Sequence, residues 1–234
     1  DRDARISPDG KLIAWTRGSE RRSDVWIMDA DGSNQRKVVQ NASMGIWRNG
    51  NELVVFRGKN NVETFLYDFQ TEKERKIWPP QKAKLKPREV RSATPSPDGK
   101  LFVGWSPKPR GTWLFSADGK FQKHIHGGCE GRFAPDGSFV YWVMNAGKLG
   151  RASLRGEVLG ELYEVDKKKM KYGHTYFPQR SENMDYLVYV ACQNNQHDHD
   201  SSDYEIFLMK INSMNPAWNR PVRLTRNPRT DRWP

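Results

Sequence analysis

The densest run of chemistry-bearing side chains is Gln196-His197-Asp198-His199-Asp200-Ser201-Ser202-Asp203, with Glu205 just beyond. Imidazoles suit transition metals and carboxylates suit hard cations, so this mixed loop could hold a divalent metal ion. Along an extended segment His197 and His199 point the same way and form a chelating pair, with Asp198 and Asp200 beside them and His174 or Glu130 completing the shell. A solvated polar loop accounts for the same composition.

Other catalytic chemistry is sparse. Two cysteines, Cys129 and Cys192, exclude a disulfide-rich scaffold and a four-cysteine zinc site. Buried free thiols are the default for this pair; a disulfide is the alternative and needs Cα atoms within about 7 Å. No Gly-x-Ser-x-Gly elbow is present, which disfavours a serine hydrolase. Asp29-Ala30-Asp31-Gly32 imitates the opening of a calcium loop but lacks the later acidic ligands, so it reads as a turn.

Charge is the second signal. A net charge of +11 favours an acidic partner, either nucleic acid, an anionic glycan or an acidic protein face. The cations cluster at Lys82, Lys84, Lys86 and Arg88, at Lys167, Lys168, Lys169 and Lys171, and at Arg226, Arg229 and Arg232. Nucleic acid is the weakest of the three, because there is no recognition helix and the aromatics do not interleave with the cations. No apolar run approaches the roughly 20 residues of a membrane-spanning helix.

The elements that must position these groups come from a repeat. Ala4 to Val39 reads as four short strands joined by Ser7-Pro8-Asp9-Gly10 and Asp29-Ala30-Asp31-Gly32. Proline presets φ, aspartate bonds its own backbone and glycine takes the positive φ that closes a tight hairpin. Degraded copies follow at roughly 40- to 50-residue spacing, the period of a propeller blade. They cover residues 3–40, 41–79, 88–126, 127–170 and 171–228, with 229–234 as a closing or lead-in strand. The innermost strands are expected at Asp3 to Ile6, Ser43 to Ile46, Ser92 to Pro95, Glu130 to Phe133 and His174 to Phe177. An aromatic follows each turn, at Trp15, Phe56, Trp105, Trp142 and Tyr189, and alternation predicts that these fill the seams between blades. The fold class is therefore all-β, a β-propeller of about five four-stranded blades forming one domain; the alternative is a segment of a six-bladed propeller.

Ser7-Pro8-Asp9-Gly10-Lys11-Leu12-Ile13-Ala14-Trp15 followed by Asp24-Val25-Trp26-Ile27-Met28-Asp29-Ala30-Asp31-Gly32 closely resembles the repeat of TolB-type β-propellers, and the resemblance covers nearly the whole chain. Such repeats occur in periplasmic translocation-assembly proteins, peptidase propellers, glycan-active proteins and binding modules of larger secreted chains. The resemblance thus implies a periplasmic or secreted location. TolB-type proteins with six blades and an extra N-terminal domain have no counterpart here for the sixth blade or that domain, and Asp1-Arg2-Asp3 reads as a processed or trimmed start.

In a blade, the innermost strand starts from one face, to which the loop between the second and third strands returns. We call this the loop face; the Asp-Gly turns lie on the opposite, turn face. All five histidines and the three cation clusters are expected on the loop face. The resulting expectation is a non-catalytic binding or scaffold propeller, part of a larger protein or complex. Its basic, histidine-rich loop face would take a protein partner or an anionic glycan. Lys167, Lys168, Lys169, Lys171, Glu130 and His126 would contact that partner, and His174, His197, His199, Asp198 and Asp200 would hold any metal. The alternative is a metal-assisted enzyme acting on acidic sugars, as in lyase propellers, although no motif of that family is matched residue by residue.

Overall fold

The computed structural model describes residues 2–19, 22–145, 147–164, 171–181, 183–193, 202–211, 221–226 and 230–231. They form five antiparallel four-stranded sheets, each with its strands side by side in chain order. Blade 1 comprises β1 (Arg2–Ile6), β2 (Leu12–Ser19), β3 (Arg22–Asp29) and β4 (Arg36–Val39). Blade 2 comprises β5 (Ser43–Asn49), β6 (Glu52–Arg57), β7 (Glu63–Asp68) and β8 (Lys73–Trp78). Blade 3 comprises β9 (Arg91–Pro95), β10 (Leu101–Pro107), β11 (Arg110–Ser116) and β12 (Gln122–His126). Blade 4 comprises β13 (Cys129–Phe133), β14 (Val140–Asn145), β15 (Lys148–Ala152) and β16 (Val158–Glu164). Blade 5 comprises β17 (His174–Arg180), β18 (Tyr186–Cys192), β19 (Glu205–Lys210) and β20 (Val222–Arg223). Among the described residues helix is confined to one 3₁₀ turn, Lys59–Asn61.

The turns carry the chemistry expected of their residues. Ser96 Oγ donates to Asp98 Oδ1 at 2.6 Å, the same oxygen accepts from Lys100 N at 3.0 Å, and Leu101 N donates to Ser96 Oγ at 3.0 Å. Ser7 and Asp9 build the same bonds in blade 1, and Ser116 and Asp118 repeat them in the second turn of blade 3. Gly10, Gly99, Gly119 and Gly137 all take φ between 72° and 74°, where a side chain would be strained.

From blade 1 to blade 5, successive blades pack face to face through apolar residues from both sides of the seam. Val25 and Ile27 of blade 1 meet Leu53 and Tyr67 of blade 2, and Trp78 of blade 2 meets Phe102 and Phe115 of blade 3. Val103 and Leu114 of blade 3 meet Trp142 of blade 4, whose Tyr141 and Leu149 in turn meet Tyr189 and Phe207 of blade 5. Between blades 5 and 1 the described contact is polar: Arg5 Nη1 donates to Gln179 Oε1.

Two expectations need correction. Trp15, Phe56, Trp142 and Tyr189 are buried, but Trp105 is only half-buried; it lines the axial channel with the Arg91 guanidinium 5.1 Å from its ring. The Pro- and Lys-rich segment after Trp78 does not stay on the loop face. Pro80, Ala83 and Leu85 pack against Gly119 in a turn of blade 3, and the Gln122 side chain bonds Lys84 O and Lys86 N. Lys82 and Lys84 therefore lie toward the turn face, while Arg88 stands beside Glu89, whose carboxylate bonds Asn60 and Arg91 toward the loop face.

Candidate functional site

The five innermost strands enclose an axial channel of about 1250 Å³. Each of these strands breaks register with its neighbour, across Asp3-Ala4, Gly45-Ile46, Ser92-Ala93, Glu130-Gly131 and Phe177-Pro178, and β5 does so again between Trp47 and Asn49. A bulge of this kind re-aims a side chain. Asp3, Ser92, Glu130 and Phe177 have φ between 48° and 57°, and these four residues together with Gly45 all line the channel. Two positions further along the strands stand Arg5, Trp47, Thr94, Arg132 and Gln179, a second ring nearer the turn face. Trp47 Nε1 donates to Arg5 O at 3.0 Å, which fixes the backbone there.

Cations dominate the lining. Arg5, Arg22, Arg57, Lys59, Arg91 and Arg132 face the channel together with only two carboxylates, Asp3 and Glu130. Arg22, Arg57 and Lys59 stand at the loop-face end, in or beside the loops between second and third strands. Arg57 is paired with Glu74, and Arg91 with Glu89. The Nε atoms of both Arg5 and Arg132 are buried without an acceptor, and the Arg132 side chain forms no ion pair with another described residue. Burial and then the proximity of Arg132 pull the pKa of Arg5 below its ordinary value.

Glu130 sits at the junction of blades 4 and 5, where Oε2 accepts from Phe177 N at 2.6 Å. Burial pushes its pKa up to about 7, against the opposing pull of that N–H and of Arg132. Its neighbour Cys129 is driven up to about 12 by burial and then by Glu130, so it stays a thiol at neutral pH. Cys129 and Cys192 are not joined by a disulfide; Cys129 is half-buried, and Cys192 is buried with its thiol 3.9 Å from His174 O.

Four of the expected site residues, Glu130, His126, His174 and Lys171, are among the described residues. Of these, Glu130 lines the channel. His126 is exposed on β12, the outermost strand of blade 3, with its ring 6.2 Å from that of Trp142. His174 is buried within blade 5, stacked on Tyr176 with Nε2 at 3.2 Å from its hydroxyl. Lys171 is exposed. Lys167, Lys168, Lys169, His197, Asp198, His199 and Asp200 lie outside the described residues, as do Arg229 and Arg232. Among the described residues no group of three or more His, Cys, Asp or Glu could hold a metal ion. Glu205 is wholly buried, paired with Arg223 and bonded to Thr225 Oγ1 at 2.5 Å. The channel residues Arg5 and Arg132 escaped the sequence reading. A signal existed: Asp3, Ser92 and Glu130 each stand seven residues before the turn glycine, with an arginine or threonine two places on.

No protein-family model and no curated protein matches the chain. Solved structures do. TolB from Acinetobacter baumannii superposes with a TM-score of 0.65 at 15% identity, over 95% of this chain and 55% of that one. Hydrazine synthase from Kuenenia stuttgartiensis gives 0.55 at 15% identity, over 94% and 64%, respectively. The Cps50 (Swd1) β-propeller domain from Myceliophteria thermophila gives 0.55 at 14%, over 95% and 70%. The chain thus spans a little over half of the TolB chain and under two thirds of the hydrazine synthase chain. At these identities the likeness is one of fold, a β-propeller.

Proposed function

We propose that this chain is a non-catalytic binding or scaffold propeller that takes an anionic partner, an acidic protein surface or an acidic glycan, at its loop face. On the resemblance of its repeat, the reading places it outside the cytoplasm, periplasmic or secreted, within a larger protein or complex. The observation that supports the reading is the charge of the channel lining, six cations against two carboxylates. The turn face differs in kind: Lys11, Lys100 and Lys120 each stand within 4 Å of the aspartate of their own turn, at 3.9, 3.5 and 3.5 Å.

Labelled polyglutamate, polygalacturonate and single-stranded DNA would be titrated against the protein at rising salt. Binding of either of the first two should weaken with salt, because exposed charges are screened over about 8 Å at physiological ionic strength. Reversing Lys59, Lys167, Lys168 and Lys169 to Glu should abolish it, and reversing Lys11, Lys100 and Lys120 should not. The opposite ranking places the partner on the turn face and ends the proposal. A strong preference for DNA ends it as well.

A further inference from the structure

We propose that Arg5 and Arg132 form a binding site for a single carboxylate group in the second ring of the channel. The two side chains come from blades 1 and 4, and both line the cavity. Each has its Nε buried without an acceptor. Leaving a buried donor unpaired is costly, and doing so twice with like charges within electrostatic reach of one another is costlier still. The seams between blades 1 and 2 and between blades 3 and 4 are closed by apolar residues, and Arg5 reaches blade 5 through Nη1, so neither Nε is used in packing. A bound anion satisfies both donors and removes the repulsion together.

The surroundings specify the anion. The cations at this level are Arg5 and Arg132, and Asp3 acts electrostatically on Arg5. Glu130 stands two residues before Arg132, and burial favours its neutral form, so two positive charges meet one fixed negative charge and a single carboxylate balances the remainder. A phosphate dianion would exceed that balance. A guanidinium presents a planar fork that matches the two oxygens of a carboxylate. Thr94 stands in the same ring with its hydroxyl directed at Ser92 O at 3.3 Å, a weak bond that an incoming oxygen can replace. Gln179 holds the far end of Arg5 through Nη1, and the Trp47 indole holds its carbonyl. Arg5 is thus positioned at both ends while its Nε stays available.

The inference rests on reading the channel as an anion site, yet it is separable by experiment. Calorimetric titration with sodium D-galacturonate and with N-acetyl-L-glutamate would be set beside the neutral D-galactose and N-acetyl-L-glutamine and beside inorganic phosphate. One or both acids should bind and their neutral counterparts should not; whichever acid binds identifies a sugar or a peptide as the source of the carboxylate. Arg132→Gln should weaken binding at least about tenfold, the loss expected for one charge-assisted hydrogen-bond partner. Arg132→Lys, which keeps the charge and loses the fork, should fall between, and it serves alone if Arg132→Gln fails to fold. Lys100→Gln on the turn face should leave affinity unchanged. Phosphate binding more tightly than both acids overturns the assignment, as does an Arg132→Lys variant with undiminished affinity. If polyanions bind in a salt-dependent manner and neither small acid does, this inference fails while the loop-face reading stands; if nothing anionic binds, both fail.

Discussion

The turn face and the channel wall carry the same kinds of side chain and treat them in opposite ways. On the turn face Asp9, Asp98, Asp118 and Asp136 each accept from a nearby serine hydroxyl and then from a backbone N–H, and all four are held below the ordinary carboxylate range. In the channel wall Glu130 is pushed up to about 7, because burial outweighs the single N–H and the arginine that favour its charge. Cations divide likewise. Lysines of the turns sit beside their own aspartates, while Arg132 has no ion-pair partner among the described residues. The repeated motif satisfies itself locally, and the positions between motifs are left to specify what the channel meets.

The largest expected effect tests where the wall ends and the seam begins. Trp142 and Trp105 follow corresponding turns, but Trp142 has 0% of its surface exposed between blades 3 and 4 and Trp105 lines the channel. Trp142→Ala should cost about 3–5 kcal/mol in urea unfolding. Trp105→Ala should cost less than half of that, since one side of its ring is already open. Equal losses would mean that Trp105 is a seam residue after all, and the channel would have to be redrawn.

The opposed carboxylates give the next effect, through pH. A carboxyl group whose pKa is raised on folding binds more protons in the native state, so stability declines as pH rises from its ordinary 4.5 to about 7. Glu130→Gln keeps an oxygen for Phe177 N and removes that decline, so above pH 7 the variant should be more stable than the parent by about 1–3 kcal/mol. The turn aspartates act the other way. Their stabilisation is complete above the ordinary aspartate pKa and is lost as pH falls below about 4. Asp98→Asn should therefore reduce the acid sensitivity of thermal unfolding and leave the slope between pH 4.5 and 7 untouched. A Glu130→Gln variant that retains this slope would place its origin elsewhere.

The legible and illegible parts of the sequence divide along the same line. Ser-Pro-Asp-Gly, with alternating apolar residues behind it, specifies hairpins through bonds made within six residues, so blade number and the positions of the innermost strands could be read directly. The channel depends on bulges at Asp3, Ser92, Glu130 and Phe177, and a bulge shifts the alternation on which side-chain direction was inferred. Trp105 leaves the seam for another reason: it shares a face of β10 with the seam residue Val103 but stands nearer the loop-face end of the strand, opposite Arg91, where the channel opens beside it. Placing histidines by the strand end they are near also says nothing of depth: His126 lies on an outer strand and His174 inside blade 5. Charge runs misled for a different reason: the segment after Trp78 is fixed by Pro80, Ala83 and Leu85 against Gly119, which counting cations cannot reveal.

The smallest effect concerns whether the turn face is as uniform as its geometry suggests. Blade 5 has no glycine at the turn, yet Ser181 Oγ donates to Asn183 Oδ1 at 2.7 Å, Tyr186 N donates to Ser181 Oγ at 3.0 Å, and Met184 N donates to Ser181 O at 2.9 Å. These are the bonds of the other turns, with Met184 at φ 65° in the place of a glycine near 73°. A side chain in that region costs about 1–2 kcal/mol, and glycine relieves it while adding about 0.5–1 kcal/mol of backbone entropy to the unfolded chain. Met184 is half-buried, so some apolar contact is lost as well. Met184→Gly should therefore stabilise by no more than about 1 kcal/mol. Gly10 provides the reverse experiment, because a Cβ there meets nothing within 4 Å and only its φ of 74° is at issue. Gly10→Ala should destabilise by about 1 kcal/mol. If Met184→Gly instead destabilises while Gly10→Ala behaves as expected, the methionine side chain holds blade 5 by contacts that outweigh its backbone strain, and the fifth turn is not equivalent to the rest.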